Sequence, residues 1–205
     1  MDMKRPALRG VTLIELVVVV ALLAMLLMAV IPSAMAWIRN TQIRNVATSV
    51  QLGLQRARAE AMRRNVNVRF SLVTLSNPAV MDNSCAVDET GKSWVVSLDN
   101  PTGLCATAVS DTTAPRILDK QAAGSGGQSI VVSGDDPTGK DADTVVFNGF
   151  GRVVDMSPAT TLATVGVDNI VGGSDYRPLR IVIGAGGTIR MCEPQVTSST
   201  DPRKC

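Results

Sequence analysis

Val11 to Ile38 reads VTLIELVVVVALLAMLLMAVIPSAMAWI and carries one charge, that of Glu15. As a helix rising 1.5 Å per residue, this stretch is roughly 40 Å long, enough to cross a hydrocarbon core of about 30 Å with a tilt. In front of it stands MDMKRPALRG, with Lys4, Arg5 and Arg9 against one acid, Asp2. Basic flanks stay on the cytoplasmic side, so everything after the apolar stretch is expected to face out of the cytoplasm. The lone carboxylate asks for an explanation. An ionised group among apolar side chains is costly and normally has a partner.

Three readings compete. A cleaved secretory signal is supported by Ala34-Met35-Ala36, a small-x-small cleavage pattern, but the apolar run is about twice the usual core of 7–15 residues and holds Glu15. A plain membrane anchor accounts for the length and leaves Glu15 without a purpose. The third reading is the class III signal of type IV pilins and pseudopilins, which the sequence resembles closely: a short basic leader ending in Gly10, then Val11-Thr12-Leu13-Ile14-Glu15-Leu16 before a long apolar helix. That resemblance implies a prepilin peptidase cutting between Gly10 and Val11 and N-methylating Val11. It also implies that Glu15 neutralises the N-terminal amine of a neighbouring subunit in the filament, and that Leu13 to Ile38 forms the transmembrane and filament-core helix. Val11 departs from the Phe found in most members, although other apolar residues occur there.

The remaining composition bounds the rest of the chain. With 205 residues, one domain plus a membrane helix is the natural expectation. Apolar residues make up 45% but aromatics only 3%, so a core of Val, Ile, Leu, Met and Ala is expected. The formal charge of +2 is set by the leader, because the chain after Gly10 carries 17 side chains of each sign. Val66 to Cys205 holds 11 basic and 15 acidic residues, which excludes a bulk basic nucleic-acid binder. Cys85, Cys105, Cys192 and Cys205 all follow the apolar stretch. An even count in an exported domain favours disulfides, with three connectivities open. Nearest-neighbour pairing, Cys85–Cys105 and Cys192–Cys205, closes two short local loops, and the second staples a C-terminus that otherwise frays. A zinc site is disfavoured by the lack of any C-x-x-C pair or histidine.

The helix is expected to continue to Asn65. Pro32 removes one helical hydrogen bond and bends or loosens it locally. Ile43, Val46, Val50, Leu54, Ala57 and Ala61 then recur at steps of three and four, an apolar stripe that wants a sheet to pack on. Gly53 in mid-helix suggests a close contact or a slight kink. Arg56, Arg58, Arg63 and Arg64 read as a solvated face, with the last two well placed against the negative end of the helix. For Arg39 and Arg44, lipid head groups or acidic filament neighbours stay open beside plain solvation.

After Asn65 the period becomes alternating. Strands are expected over 66–75, 93–98, 129–133, 144–148, 151–155, 162–167, 179–183 and 188–192, separated by Gly, Pro, Asn, Asp and Ser clusters. Phe147 to Val154 looks like a hairpin turning on Gly149 and Gly151. The fold class is therefore α+β, a long N-terminal helix packed on an antiparallel β domain. Its divisions are a leader over 1–10, a membrane helix over 11–38, an amphipathic continuation over 39–65 and a β domain with a tail over 66–205.

The run Ala57-Arg58-Ala59-Glu60-Ala61-Met62-Arg63-Arg64-Asn65, the Trp94 strand, Phe147-Asn148-Gly149 with Gly151-Arg152, and Ile189-Arg190-Met191-Cys192 narrow the resemblance to the GspH/FimT family. It implies a minor pilin or pseudopilin of a type IV pilus or a type II secretion pseudopilus, acting in filament initiation or at the tip. Sister pilins, prepilin peptidase and the inner membrane are the implied partners. The implied location is the inner membrane with a periplasmic C-terminal domain, then the filament.

Constellations that suggest other chemistry fail on inspection. Gly134 to Asp141 nearly matches a phosphate loop, but Asp141 replaces the required Ser/Thr, Asp135 and Asp136 repel phosphate, and a strand follows. Gly184-Ala185-Gly186-Gly187 reads as a turn, since no helix follows it. Asp135, Asp136, Asp141 and Asp143 have the chemistry for Ca²⁺ but fit no EF-hand spacing, and read as a solvated acidic loop. Without histidine or a reactive thiol, neither an enzyme nor a cofactor is expected. DNA binding for natural transformation is the alternative function. Some FimT-like members use a C-terminal Gly-Arg-x-Arg, and Gly187-Thr188-Ile189-Arg190 keeps its Gly and final Arg. Arg177, Arg180, Arg190, Arg203 and Lys204 are the candidate phosphate contacts, with Tyr176 beside them.

Overall fold

The computed structural model describes residues 11–154 and 160–205. Helix α1 runs Leu13–Arg64, and among the described residues ten strands follow it. The chain divides in sequence between Ile38 and Arg39 into two compact units. Within the second unit, the stripe predicted from the period of 3.6 is the helix's buried face. Ile43, Val50, Leu54, Ala57 and Ala61 are fully buried, and Val46 nearly so.

A first sheet has the order β4 (Ile117–Gln121), β3 (Ser93–Ser97), β1 (Val68–Thr74), β6 (Thr144–Phe147) and β7 (Val153–Val154), with β2 (Ala86–Val87) pairing the end of β1. A second sheet has the order β10 (Ile189–Cys192), β9 (Leu179–Ile183), β8 (Thr164–Asn169) and β5 (Ile130–Asp135), with a 3-10 turn over Ser125–Ser129 before β5. All the pairings are antiparallel. The alternation of β1 decides what each face does. Val68, Phe70 and Leu72 join the helix stripe in the main core, together with Val132, Val165, Val167, Ile181 and Ile183 of the second sheet. The intervening Ser71 and Val73 point the other way, where Ser71 shares a buried 2.9 Å hydroxyl hydrogen bond with Thr144. There Val73, Val95 and Ile117 form a smaller core closed by Cys85 and Cys105.

Two sequence expectations change. Among the described residues no methionine is buried in the core, and Met81 and Met191 only pack against its edges. Phe70, Phe147 and Trp94 are buried at its centre, whereas Met25, Met28, Met35 and Met62 are exposed. A few large rings fill the helix–sheet gap more efficiently than many flexible chains. Strand β4 and the short β2 lie in stretches where the sequence pattern predicts loop, while the other strands lie within a few residues of their expected places. Residue 155, the expected end of β7, lies outside the described residues.

Candidate functional site

The N-terminal half of α1 presents its apolar side chains to the outside all the way round. Leu13 is 82% exposed, Leu16 60%, Val19 57% and Leu27 53%. Thr12 caps this helix, its Oγ1 accepting the backbone N–H of Glu15 at 3.3 Å, so Thr12-x-x-Glu15 has the spacing of a capping box. Glu15 thus stands in the first turn, where the positive end of the helix dipole favours a carboxylate. Gly10, the predicted cleavage residue, lies outside the described residues. Among the described residues no single helix is long and apolar enough to cross a membrane, but Leu13–Met28 and Ser33–Arg64 meet that test together.

The opposite end of the chain is the second candidate surface. Strand register puts Arg190 opposite Val182 and Arg180 opposite Cys192, so both arginines share the outer face of the second sheet. Both are exposed. Arg180 also stands opposite Gly166, which contributes no side chain to that face. The tail folds back alongside β10. Cys192 is bonded to Cys205, Glu193 N–H donates to the Arg203 carbonyl at 2.7 Å, and Arg190 donates to the Lys204 carbonyl at 3.0 Å. Arg203 is held by Asp201 at 2.7 Å and Glu193 at 3.6 Å, which raises its pKa, chiefly through the hydrogen bond to Asp201. Lys204 is exposed, and Arg177 lies apart on the β8–β9 loop. Of the five predicted contacts, the structure therefore brings Arg180 and Arg190 together and neutralises Arg203.

The acidic loop between β5 and β6 is a self-satisfied turn. The Asp136 carboxylate accepts from Thr138 N–H, Thr138 Oγ1 and Lys140 N–H at 2.7–3.0 Å, and these bonds, that to Lys140 first, lower its pKa. Among the described residues no group of three or more acidic, Cys or His side chains converges to hold a metal ion.

The family described as type II transport protein GspH matches residues 46–187, more than two thirds of the chain. This chain belongs to the GspH family. The match begins inside the buried helix stripe and ends at the β9–β10 turn, covering the first sheet and the second except β10, but neither the apolar stretch nor the tail. GspH proteins are minor pilins and pseudopilins, structural subunits of envelope-associated filaments. Two crystal forms of the type IV minor pilin FimU from Pseudomonas aeruginosa PAO1 align with TM-scores of 0.44. One is 13% identical over 76% of this chain and 99% of that one, and the other 12% identical over 77% and 96%. No curated protein matches the chain.

In the GspH-like run at the end of α1, Arg58 and Arg64 are tertiary fasteners, whereas Arg56 and Arg63 stay exposed on the expected solvated face. Glu60, 7% exposed, accepts from Arg63 at 2.6 Å and Arg64 at 2.9 Å, and Arg56 lies 3.7 Å away. Arg64 reaches on to Asp111 at 3.0 Å, and Arg56 approaches Asp119 at 3.6 Å. Burial pushes the Glu60 carboxyl up, but hydrogen bonds and charge from Arg63 and Arg64 outweigh it, and the pKa ends below its ordinary value. Arg58 donates to the Gly151 carbonyl at 3.0 Å, on the β6–β7 turn. That same carbonyl abuts Gly187 of the β9–β10 turn so closely that a Cβ on Gly187 would lie 1.8 Å from it. Val153 N–H donates to Ala185 O at 3.1 Å across the same junction. Helix, first sheet and second sheet are thus joined where the Gly-Ala-Gly-Gly turn lies. The sequence pattern marks the turn but not this purpose, and its adjacent glycines are the signal for a close backbone approach. Asn65 adopts φ 54° at the helix end, in the left-handed region that Asn tolerates. A Cβ on Gly149 would lie 2.2 Å from the Asn65 side chain.

The disulfides are the two local pairs. Cys85–Cys105 spans 6.1 Å between Cα atoms and Cys192–Cys205 spans 5.1 Å. Lys120 braces the first loop, donating to the carbonyls of Cys105 at 2.6 Å and Thr107 at 2.8 Å, and burial lowers its pKa.

Proposed function

We propose that this GspH-family chain is a low-copy subunit of a type IV pilus or type II secretion pseudopilus, acting in filament initiation or at the tip. Prepilin peptidase cleaves after Gly10 and methylates Val11. Leu13 to Ile38 holds the subunit in the inner membrane with its β domain in the periplasm. In the filament, Glu15 meets a neighbour's N-terminal amine. The observation that carries this reading is the helix exposed on all sides over its apolar half, with one carboxylate four residues from the proposed new N-terminus. Such a surface needs a lipid or protein environment. Mass spectrometry of the mature N-terminus tests it. A start at methylated Val11 is expected; a start at Trp37 or an intact Met1 rejects it. A deletion strain separates the machines: loss of surface motility marks the pilus, and retained exoproteins mark secretion.

A DNA-uptake role is the second reading, supported by Arg180 and Arg190 on one exposed sheet face. Arg180→Ala with Arg190→Ala is expected to weaken binding and lower the salt slope by about 2, at about 0.9 for each phosphate no longer neutralised. Unchanged binding in a gel-shift titration removes the role.

A further inference from the structure

The loop between β8 and β9 carries a pair of apolar side chains at its tip, Ile170 at 64% exposure and Val171 at 67%. Apolar residues on a floppy loop need no account, but this loop is fastened at both limbs. Asn169, 3% exposed, accepts on Oδ1 from Val171 N–H at 3.0 Å and from Arg39 at 3.3 Å. Asn40 uses both ends of its amide, donating to the Asp175 carbonyl at 3.0 Å and accepting from Arg177 N–H at 2.8 Å. Between those bonds Tyr176 lies under the Arg39 guanidinium, 5.7 Å from it. Both fasteners come from the first two residues of the domain's part of the helix. The tip is thereby fixed at the level of Arg39 and Asn40.

That level is significant on the reading given above, in which Leu13 to Ile38 spans the membrane. Twenty-six residues rising 1.5 Å each exceed a hydrocarbon core of about 30 Å, so the residues following Ile38 emerge at the head groups. Arg44 and Arg177 are exposed there and Arg39 half-buried, against Asp168 and Asp175. Exposed apolar side chains beside guanidinium groups match the acyl boundary below and the phosphate layer above it. We infer that the β8–β9 loop is a membrane-surface contact. Ile170 and Val171 enter the acyl boundary of the outer leaflet, and Arg39, Arg44 and Arg177 meet anionic head groups. The contact sets which side of the domain faces the membrane before assembly.

The test uses the full chain, in which the described cysteines are all disulfide-bonded, so one added cysteine is the labelling site. Val171→Cys, and Thr112→Cys as a control on another loop, are labelled with an environment-sensitive fluorophore. Each is reconstituted in vesicles of phosphatidylethanolamine and phosphatidylglycerol, with nitroxide lipids as quencher. The expected result is a blue-shifted label at 171, its emission at least halved by quencher, and a water-like, unquenched label at 112. Adding Arg44→Gln and Arg177→Gln should reduce the quenching at 171. A chain that floats with its vesicles but keeps a water-like label at 171 overturns the inference and leaves the membrane span intact. A chain that does not float overturns both. A label at 171 that is shielded in detergent as protein concentration rises, yet unquenched in vesicles, puts a second copy there and overturns the lipid assignment.

Discussion

Gly53 sits in the middle of a helix, where alanine is intrinsically preferred by about 1 kcal/mol, so Gly53→Ala is stabilising by propensity alone. The structure reverses that expectation. A Cβ at this position would lie 2.7 Å from Trp94 Cδ2, 2.8 Å from Phe70 Cε2 and 2.8 Å from Trp94 Cε2. Favourable carbon contacts lie at about 3.5–4.0 Å, so the helix must rise from the sheet by nearly 1 Å. Neither ring has free space, since Phe70 is fully buried and Trp94 6% exposed. The same rise would stretch the bond from Trp94 Nε1 to Ser49 Oγ, now 3.0 Å, worth about 1 kcal/mol. Overpacking of this kind costs about 1–3 kcal/mol, and with the lost bond it exceeds the propensity gain by about 1–3 kcal/mol. For a chain of this size that lowers Tm by about 2–12 °C. The assay is thermal unfolding of the disulfide-intact full chain in detergent, followed by near-ultraviolet circular dichroism. A Gly53→Ala protein as stable as the parent, or more so, refutes the argument that Gly53 is there for helix–ring contact.

Three further outcomes follow from the fasteners. Because the Glu60 pKa is depressed in the folded state, its stabilisation is present above the ordinary value of 4.5 and is lost as pH falls through the folded one. Glu60→Gln should therefore flatten the acid limb of a urea-midpoint profile below the ordinary value of 4.5, and a parallel profile counts against the Arg63–Glu60–Arg64 cluster. Gly187→Ala combines φ 80° with a Cβ 1.8 Å from the Gly151 carbonyl, so thermal unfolding should show a loss of about 2 kcal/mol or more. A shift of a few tenths sinks the junction. Cys85→Ala with Cys105→Ala should cost about 2–4 kcal/mol, read as a lowered urea midpoint with a somewhat steeper slope, because the unfolded chain loses a cross-link.

The helix stripe and most strands are legible in the sequence because their signals are local. A period of 3.6 switching to 2 near Asn65 marks where the helix ends, and each strand's alternation tells which of its faces is dry. Strand β4 lacks such a signal. In Ile117-Leu118-Asp119-Lys120-Gln121 only the first two residues are buried, and its pairing with β3 shifts register between Val96 and Ser97. Its place comes from a neighbour, and from Lys120 reaching the carbonyls of the Cys105 loop. The arginines are illegible for the same physical reason. Arg58 finds its acceptor 93 residues away and Arg64 one of its acids 47 residues away. A charge count cannot distinguish a guanidinium facing water from one facing a distant carbonyl. The DNA candidates are half legible, since alternation predicts that Arg180 and Arg190 point outward but nothing local predicts that the tail folds back to bring Arg203 to Glu193.

One α-helix carries two different relations to its surroundings, and the change between them is written in its composition. Up to Ile38 there is no polar face, so no orientation of the helix can satisfy water. From Arg39 onward one stripe is apolar and the rest polar, so one orientation against the sheets is strongly preferred. The domain then fixes itself to that second half at both ends, through Arg39 and Asn40 at the start and Arg58 and Arg64 at the finish. A domain held only by a greasy stripe could slide or roll along it, since hydrophobic contact is non-directional. Hydrogen bonds from opposite ends remove both motions, because each requires breaking a bond whose buried partner is left unpaired. For a structural subunit this matters more than any pocket. The second half of the helix and the β domain thus form one body, in which neither part can slide or turn on the other.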